Sequence, residues 1–380
     1  MLRNEFIKSW REGLSLSVRD VATRARLSEG TLSEIEAGTH DPSLDELESV
    51  ARTLGLRGEN LFDEQVASSA GTDVLRLLFK SAEGLAPPPD ARLQMLDAAR
   101  AALDLLELHD ALKLPGPALP SLQLPRKAEE PLHKLGGRQA TEVRSHLKLG
   151  KAPIPSLRDL ITIRLRIPLI AAHLGSYGPD AFSVFAPGGR VAIALNVDGK
   201  HQNLLVRRFT LAHELGHAVS DKPNQGGAGM ACLVDSQREL DVETRANAFA
   251  IRLLLSTEVD KAREKLLEPV TFRHDMEYWG IHFSALRLFT KNLLGFTDEE
   301  MARKAPRVDS TAPLHIRDAE ELEAERSAAA VVPLARRGEL ARLVLQELAN
   351  GRMSRGRARE LLRVDASVDL EALTQAVGVA

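Results

Sequence analysis

Two histidines four residues apart, with a glutamate between them, lie in the string RRFTLAHELGHAVSD from Arg207 to Asp221. The core of the string is His213, Glu214, Leu215, Gly216 and His217. Its chemistry requires a helix, where positions i and i+4 share one face. Both imidazoles then reach a single ion while Glu214 projects beside it. Phe209, Leu211, Ala212 and Leu215 give that helix an apolar surface to bury. Zinc takes neutral imidazole or carboxylate ligands in near-tetrahedral geometry, with one position open to water where the site is catalytic. A third ligand must therefore come from another element. The best candidate is Glu243 in VETRANAFAIRLLL, a second amphipathic helix. Glu243 and Asn247 are i, i+4 neighbours, so the carboxylate can bind the metal while the amide orients a histidine of the first helix.

The chain around these helices has 380 residues, which at roughly 150 per domain implies two or three units. Aromatic residues are only 4% of the total, so the cores must be built from Leu, Ala, Val and Ile. One cysteine, Cys232, excludes a disulfide framework and a cysteine-rich zinc ribbon. A lone cysteine near zinc helices is more often a small apolar filler than a redox switch. A net charge of −3 argues neither for nor against nucleic acid. No apolar run reaches the ~18 residues that a membrane helix needs. The opening MLRNEFIKSWREG is broken by charge too often for a signal peptide. The expectation is a cytoplasmic chain without a membrane partner.

Residues 1–63 read as a dense series of short helices. Apolar residues recur at helical spacing in Leu2, Phe6 and Trp10, in Val18, Val21 and Ala22, in Leu32 and Ile35, and in Leu44, Leu47, Val50 and Leu54. Ser17, Ser28 and Ser43 stand where N-caps are needed, and Gly38 and Gly55 where helices end. Residues 72–83 and 90–112 read as two further helices, split by APPPD. Five prolines from Leu114 to Pro131 mark a linker and the main domain boundary. Beyond it, about 138–147 is helical, and 180–185 and 190–195 flank Pro187–Gly189 as a hairpin. Residues 204–219 and 238–256 are helical, and more helices run to about 295. A charged stretch, 298–330, leads to a last helical pair at 334–376. The expected fold class is mainly α with a small β-sheet (α+β). The divisions are 1–63, a helical extension 64–113, the proline-rich linker 114–131, a central domain 132–296 and a helical C-terminal region 297–380.

RRFTLAHELGH followed by ETRANAFA resembles the ImmA/IrrE family of bacterial zinc metallopeptidases. GGRQATEVRSHLKLG at Gly136–Gly150 and PIPSLRDLI at Pro153–Ile161 resemble the family's opening helix and connector. VAIALN at Val191–Asn196 resembles its strand before the active helix, and GIHFSALRLFTKNLLG at Gly280–Gly295 its later helix pair. The resemblance implies a zincin-like central domain holding one zinc ion per chain. It matches His213, His217 and Glu243 to the metal ligands and Glu214 to the catalytic acid/base. It also implies a protein substrate of the helix-turn-helix repressor type. The chain departs from the family where Leu254 and Leu255 are followed by Ser256, and in the loose GGAG at Gly226–Gly229. Tyr177, His201 and His282 are candidates for stabilising an oxyanion, though each reads more readily as an ordinary surface or core polar residue.

SVRDVATRARLSEGTLSEIEAG, Ser17 to Gly38, resembles a Cro/C1-type helix-turn-helix of the XRE family, whose third helix lies in the major groove. Thr31 and Ser33 are candidates for base-edge contacts, and Arg24 and Arg26 for phosphate. Charge runs against tight binding, because residues 1–62 hold 8 basic and 11 acidic side chains. Glu29, Glu34 and Glu36 all fall on the third helix. Val18 stands where the family usually has Gln, and Arg26 where it usually has Gly. The module reads either as DNA-binding or as a protein-interaction or dimerisation unit, so a homodimer is among the expectations. NGRMSRGRARELLRVD, Asn350–Asp365, has the spacing of a second such element, with Ser354 as its cap. Two functional classes follow. One is a regulatory zinc endopeptidase that cuts a repressor and so controls transcription. The other is a transcriptional regulator whose metallopeptidase fold senses a ligand or partner without turnover, and an antitoxin-like partner protein is a third possibility.

Overall fold

The computed structural model describes residues 2–62, 88–119, 130–220 without 177, 187 and 188, 229–231, and 237–379 without 258, 260–264, 307, 309–312 and 328. The helix expected at 72–83, most of the proline-rich stretch, the GGAG segment up to Ala228, Cys232 and Tyr177 lie outside these residues.

The first unit is four short helices, α1 (Asn4–Gly13), α2 (Val18–Ala25), α3 (Glu29–Ala37) and α4 (Leu44–Thr53). Ser17, Ser28 and Ser43 cap the last three, their hydroxyls accepting from the N–H of Asp20, Thr31 and Glu46. Each cap satisfies a backbone donor that the first turn leaves open. Helix α3 stops at Gly38 in the left-handed conformation, φ 73°. Helix α2 stops the same way at Arg26, φ 59°, a conformation in which an L side chain is strained.

Helix α5 (Pro89–Ala111) begins on proline, whose missing N–H is no loss at that position. Helix α6 (Leu132–His146) follows, then a helical turn, Leu157–Asp159, that widens into a π-helical turn at Leu160–Arg164. The sheet contains β1 (Leu169–Ala172), β2 (Ala181–Ala186), β3 (Arg190–Asn196) and β4 (Gly229–Ala231). Between β3 and β4 runs α7 (Leu204–Ser220), and after β4 runs α8 (Gln237–Leu254). Then come α9 (Pro269–Trp279), α10 (Phe283–Leu294), α11 (Asp298–Lys304), α12 (Leu314–Glu320) and α13 (Glu323–Arg326). The chain closes with α14 (Glu339–Ala349), α15 (Arg355–Leu362) and α16 (Leu370–Val377). The expected last pair is thus three helices, with Ser354 capping α15.

Strand order is β1-β3-β2-β4, with β1 parallel to β3 and both pairings of β2 antiparallel. The β2–β3 pair is the hairpin that the sequence predicts. Successive residues of a strand face opposite sides, and here both sides are buried. Phe182, Val184, Ala192 and Ala194 join one core with α1–α5 and the C-terminal helices. Ala181, Phe185, Val191, Ile193 and Leu195 join a second core with α6–α10 and α12. The sheet is therefore a shared middle layer between the first unit and the helices that carry the His-Glu-Leu-Gly-His string.

Candidate metal centre

Helices α7 and α8 cross closely because of glycine. A Cβ on Gly216 would lie 3.0 Å from the Phe249 ring of α8. On the other flank of α8, a Cβ on Gly136 of α6 would lie 2.2 Å from the Arg245 carbonyl. Helix α8 is clamped between these two neighbours, and that fixes Glu243 opposite α7. His213 Nε2 and His217 Nε2 are 3.0 Å apart. Glu243 Oε2 is 3.1 Å from His213 Nε2, and Oε1 is 3.2 Å from His217 Nε2. These ligand atoms all lie within 4.8 Å of one another.

The donor set suits zinc. Two imidazole nitrogens and one carboxylate form a triangle whose corners can all be reached from one point at zinc's ~2.0–2.2 Å bond lengths. His213 Nδ1 is 3.1 Å from Asn247 Oδ1. An amide oxygen can only accept, so Nδ1 carries the proton and Nε2 keeps its lone pair for a ligand. Burial raises the pKa of Glu243, but its hydrogen bonds to His213 and His217 outweigh this and hold it well below the ordinary carboxylate range. Glu243 is thus ionised at neutral pH, as a ligand must be.

Glu214 is 1% exposed, and burial pushes its pKa up against the opposing charges of His217 and His213. Its Oε2 accepts a 2.6 Å hydrogen bond from Ser183 Oγ. Ser183 is on β2, fully buried, on the strand face that points at α7. Sequence reasoning missed it, although a serine inside the apolar run AFSVFA is a visible signal that a buried polar partner waits nearby.

Of the oxyanion candidates, His201 is 2% exposed. Its Nε2 lies 3.3 Å from Asp180 Oδ1, and its Nδ1 is 3.2 Å from the Asp198 carbonyl. It is a structural residue. His282 caps α10 and packs edge-on against Phe209, with ring centroids 4.9 Å apart, one helical turn before His213. Burial, reinforced by Lys200, holds its pKa down to about 4, so at neutral pH it is an uncharged donor or acceptor.

A strap from the C-terminal region holds α7 from outside. Arg208 and Glu320 form an ion pair in which both side chains are sealed from solvent. Arg207 meets both oxygens of Glu325, at 2.6 and 2.9 Å. The two arginines that open the string thus anchor α12 and α13 to the histidine helix.

Comparison with known families now decides the assignment. The model described as IrrE N-terminal-like domain, of the M78 peptidase family, matches residues 179–289, which include every residue of this centre. Residues 179–289 are an IrrE N-terminal-like domain. The model described as helix-turn-helix domain matches residues 5–65. No curated protein and no solved structure matches the chain. The chain is a transcription regulator in make-up, joining a helix-turn-helix domain to a metallopeptidase-like fold. Among the described residues no helix is long and apolar enough to cross a membrane.

In the helix-turn-helix domain Arg24, Arg26 and Ser33 are exposed and Thr31 is half-buried. The Thr31 hydroxyl shares a 2.8 Å hydrogen bond with Ser28, and Ser33 Oγ donates to the Glu29 carbonyl at 2.8 Å. Arg24 and Arg26 line a shallow cavity with Arg19, Thr23, Asp20 and Asp90. Glu36 is not on the exposed surface of α3. It is buried in a two-pronged bond to Arg11, 2.7 and 2.9 Å, so α3 exposes only Glu29 and Glu34 of its three acids.

Proposed function

We propose that this chain is a zinc-dependent endopeptidase that cleaves a repressor-type protein and so controls transcription. The convergence of His213 Nε2, His217 Nε2 and the Glu243 carboxylate at 3.0–3.2 Å, beside Glu214, carries this reading. One zinc ion, held by these three residues, would supply a Lewis acid that lowers the pKa of water towards 7 and polarises a scissile carbonyl. Asn247 holds His213 in the tautomer that ligation needs. Glu214 takes a proton from the attacking water on a carboxylate oxygen and passes it to the leaving amine nitrogen. Its raised pKa favours that exchange, because a base works best with a pKa near the working pH. Ser183 holds Oε2, so in this reading Oε1 takes the proton. His282, uncharged at neutral pH and packed on Phe209 of the histidine helix, is kept in this reading as the candidate for steadying the developing oxyanion.

Residues 1–63 bind DNA in this reading, with Arg24 and Arg26 on phosphate and Thr31 and Ser33 at base edges. The removal of Glu36 from the surface supports it, since fewer acids then face the phosphates. The divisions at 63, 113, 131 and 296, a cytoplasmic location and a possible homodimer belong to the same reading. Elemental analysis of the purified protein, with co-expression of helix-turn-helix repressors from the same genome, tests it. The expected outcome is one zinc per chain, lost in the His213→Ala, His217→Ala double variant, and a shortened repressor. Zinc retained in the double variant would place the metal elsewhere.

A second reading has its own observation. Glu214 is sealed from solvent and already hydrogen-bonded to Ser183, which suits a domain that senses a partner without turnover. Zinc without cleavage of any repressor would favour it.

A further inference from the structure

A second charged cluster lies far from the zinc centre in sequence, where three parts of the chain meet. A cavity of about 50 Å³ opens between α4 and the turn after it, α5, and the C-terminal helices. Its wall carries five arginines, Arg52, Arg57, Arg100, Arg336 and Arg363, against three carboxylates, Glu48, Asp104 and Glu360. Asp97 and Glu107, just behind the wall, pair with these same arginines and bring the formal charge of the cluster to balance, but the surface that faces the cavity is mostly guanidinium.

The carboxylates of the wall are already committed. Asp104, 5% exposed, receives three guanidiniums. Arg57 Nη2 and Arg100 Nε each bind Oδ1 at 2.9 Å, and Arg336 Nη1 binds Oδ2 at 2.9 Å. Glu48 binds Arg52 at 2.6 Å, and Glu360 is drawn off by Arg357, also at 2.6 Å. Asp97 and Glu107 also bind these arginines, Asp97 to Arg363 and Glu107 to Arg57 and Arg100, but neither lines the cavity.

Donors are left over. Arg336 is 1% exposed, yet its Nε has no hydrogen-bond partner. A buried guanidinium N–H without an acceptor is costly, and native structures rarely leave one so. Arg363 is placed on the wall by a left-handed backbone, φ 52°, at the end of α15. Burial pushes its pKa down to about 10, against the opposing pull of Asp97.

We propose that this cavity binds a small tetrahedral oxyanion of the phosphate class. Its oxygens match the planar fork of guanidinium and would supply the acceptor that the buried Arg336 Nε lacks. The volume suits the free ion and leaves no room for a nucleoside within the cavity. Water is the competing occupant, since a polar cavity of this size holds a few molecules. The wall draws on the helix-turn-helix domain, on α5 and on α15, so the anion ties the first unit to the C-terminal helices. It is independent of the zinc reading.

The test is calorimetric titration of the full chain with inorganic phosphate against chloride at matched ionic strength. Saturable binding near one per chain is expected, with a thermal midpoint that rises with phosphate. Arg52→Gln, at a half-exposed side chain where folding is not at stake, should weaken phosphate about 10-fold, the loss of one charged contact. Arg363→Gln should weaken it at least as much. No saturable binding would mean that the cavity holds water only and would overturn the proposal. Wild-type affinity in both variants would overturn it as well, since the phosphate would then sit elsewhere, for instance on the zinc.

Discussion

Ser183 Oγ donates a 2.6 Å hydrogen bond to Glu214 Oε2, with both side chains sealed from solvent. The bond joins the middle strand layer to the histidine helix and supports the charged form of a carboxylate that burial pushes towards the neutral one. A hydrogen bond to a charged group contributes roughly 1.5–3 kcal/mol. Because the folded-state pKa of Glu214 is raised, the folded chain holds its proton more tightly than the unfolded chain. Its contribution to stability is therefore greatest at low pH and is lost as pH rises towards the folded pKa. Ser183→Ala should deepen that loss. Urea denaturation should show a larger loss of stability at about pH 8 than at about pH 5. Equal loss at both would mean that Ser183 acts on packing and not on the Glu214 charge.

Gly136 and Gly137 are adjacent in α6 and should respond oppositely to alanine. A Cβ at 136 meets the Arg245 carbonyl at 2.2 Å, and backbone cannot swing aside, whereas a Cβ at 137 meets nothing within 4 Å. Gly136→Ala should destabilise by about 1–3 kcal/mol or more through overpacking. Gly137→Ala should stabilise by up to about 1 kcal/mol through helix propensity. Thermal melts of the two single variants decide the matter, and a stable Gly136→Ala protein would mean that α6 and α8 are further apart.

The sealed pair Arg208–Glu320 should be strongly coupled. Glu320 also accepts from the backbone N–H groups of Leu157 and Arg158, at 2.6 and 2.9 Å, so removing Arg208 leaves its carboxylate buried and under-compensated. Arg208→Met should cost about 3–5 kcal/mol. Adding Glu320→Gln should recover part of that, which a double-mutant cycle reads directly. Strict additivity would show that the strap does not depend on this pair.

Much of this was legible in the sequence, and the legible part is local. Ser17, Ser28, Ser43 and Ser354 cap helices by chemistry contained within three residues. The i, i+4 spacing of His213 and His217 is likewise a property of one helix. The illegible part is long-range. Glu36 reads as a surface acid on a recognition helix until Arg11, 25 residues away, is seen to bury it. Ser183 and Glu214 are 31 residues apart and Arg208 and Glu320 are 112 apart, and no periodicity links them. The prolines from Leu114 to Pro131 read as a separator, yet α5 before them and the sheet after them share one core. Proline constrains the local backbone and says nothing of what the flanking elements pack against.

Arg26 separates stability from binding. It holds a left-handed φ of 59° that glycine adopts freely, so Arg26→Gly should stabilise the fold by about 1 kcal/mol. It should also remove an exposed cation and weaken DNA binding while making its salt dependence shallower. Fluorescence anisotropy across a salt series, beside a thermal melt, reads both. A variant that melts higher and binds DNA as well as wild type would remove Arg26 from the phosphate contacts.

The central claim is that Glu214 moves protons for peptide cleavage at a metal held by His213, His217 and Glu243. The most direct measurement is single-turnover cleavage of a co-purified repressor by wild type and by Glu214→Gln, each carrying the same zinc content. Glutamine keeps the shape and cannot accept the proton, so the variant should lose about 10²–10⁴-fold in rate with zinc retained. Cleavage at the wild-type rate by zinc-loaded Glu214→Gln would contradict the account.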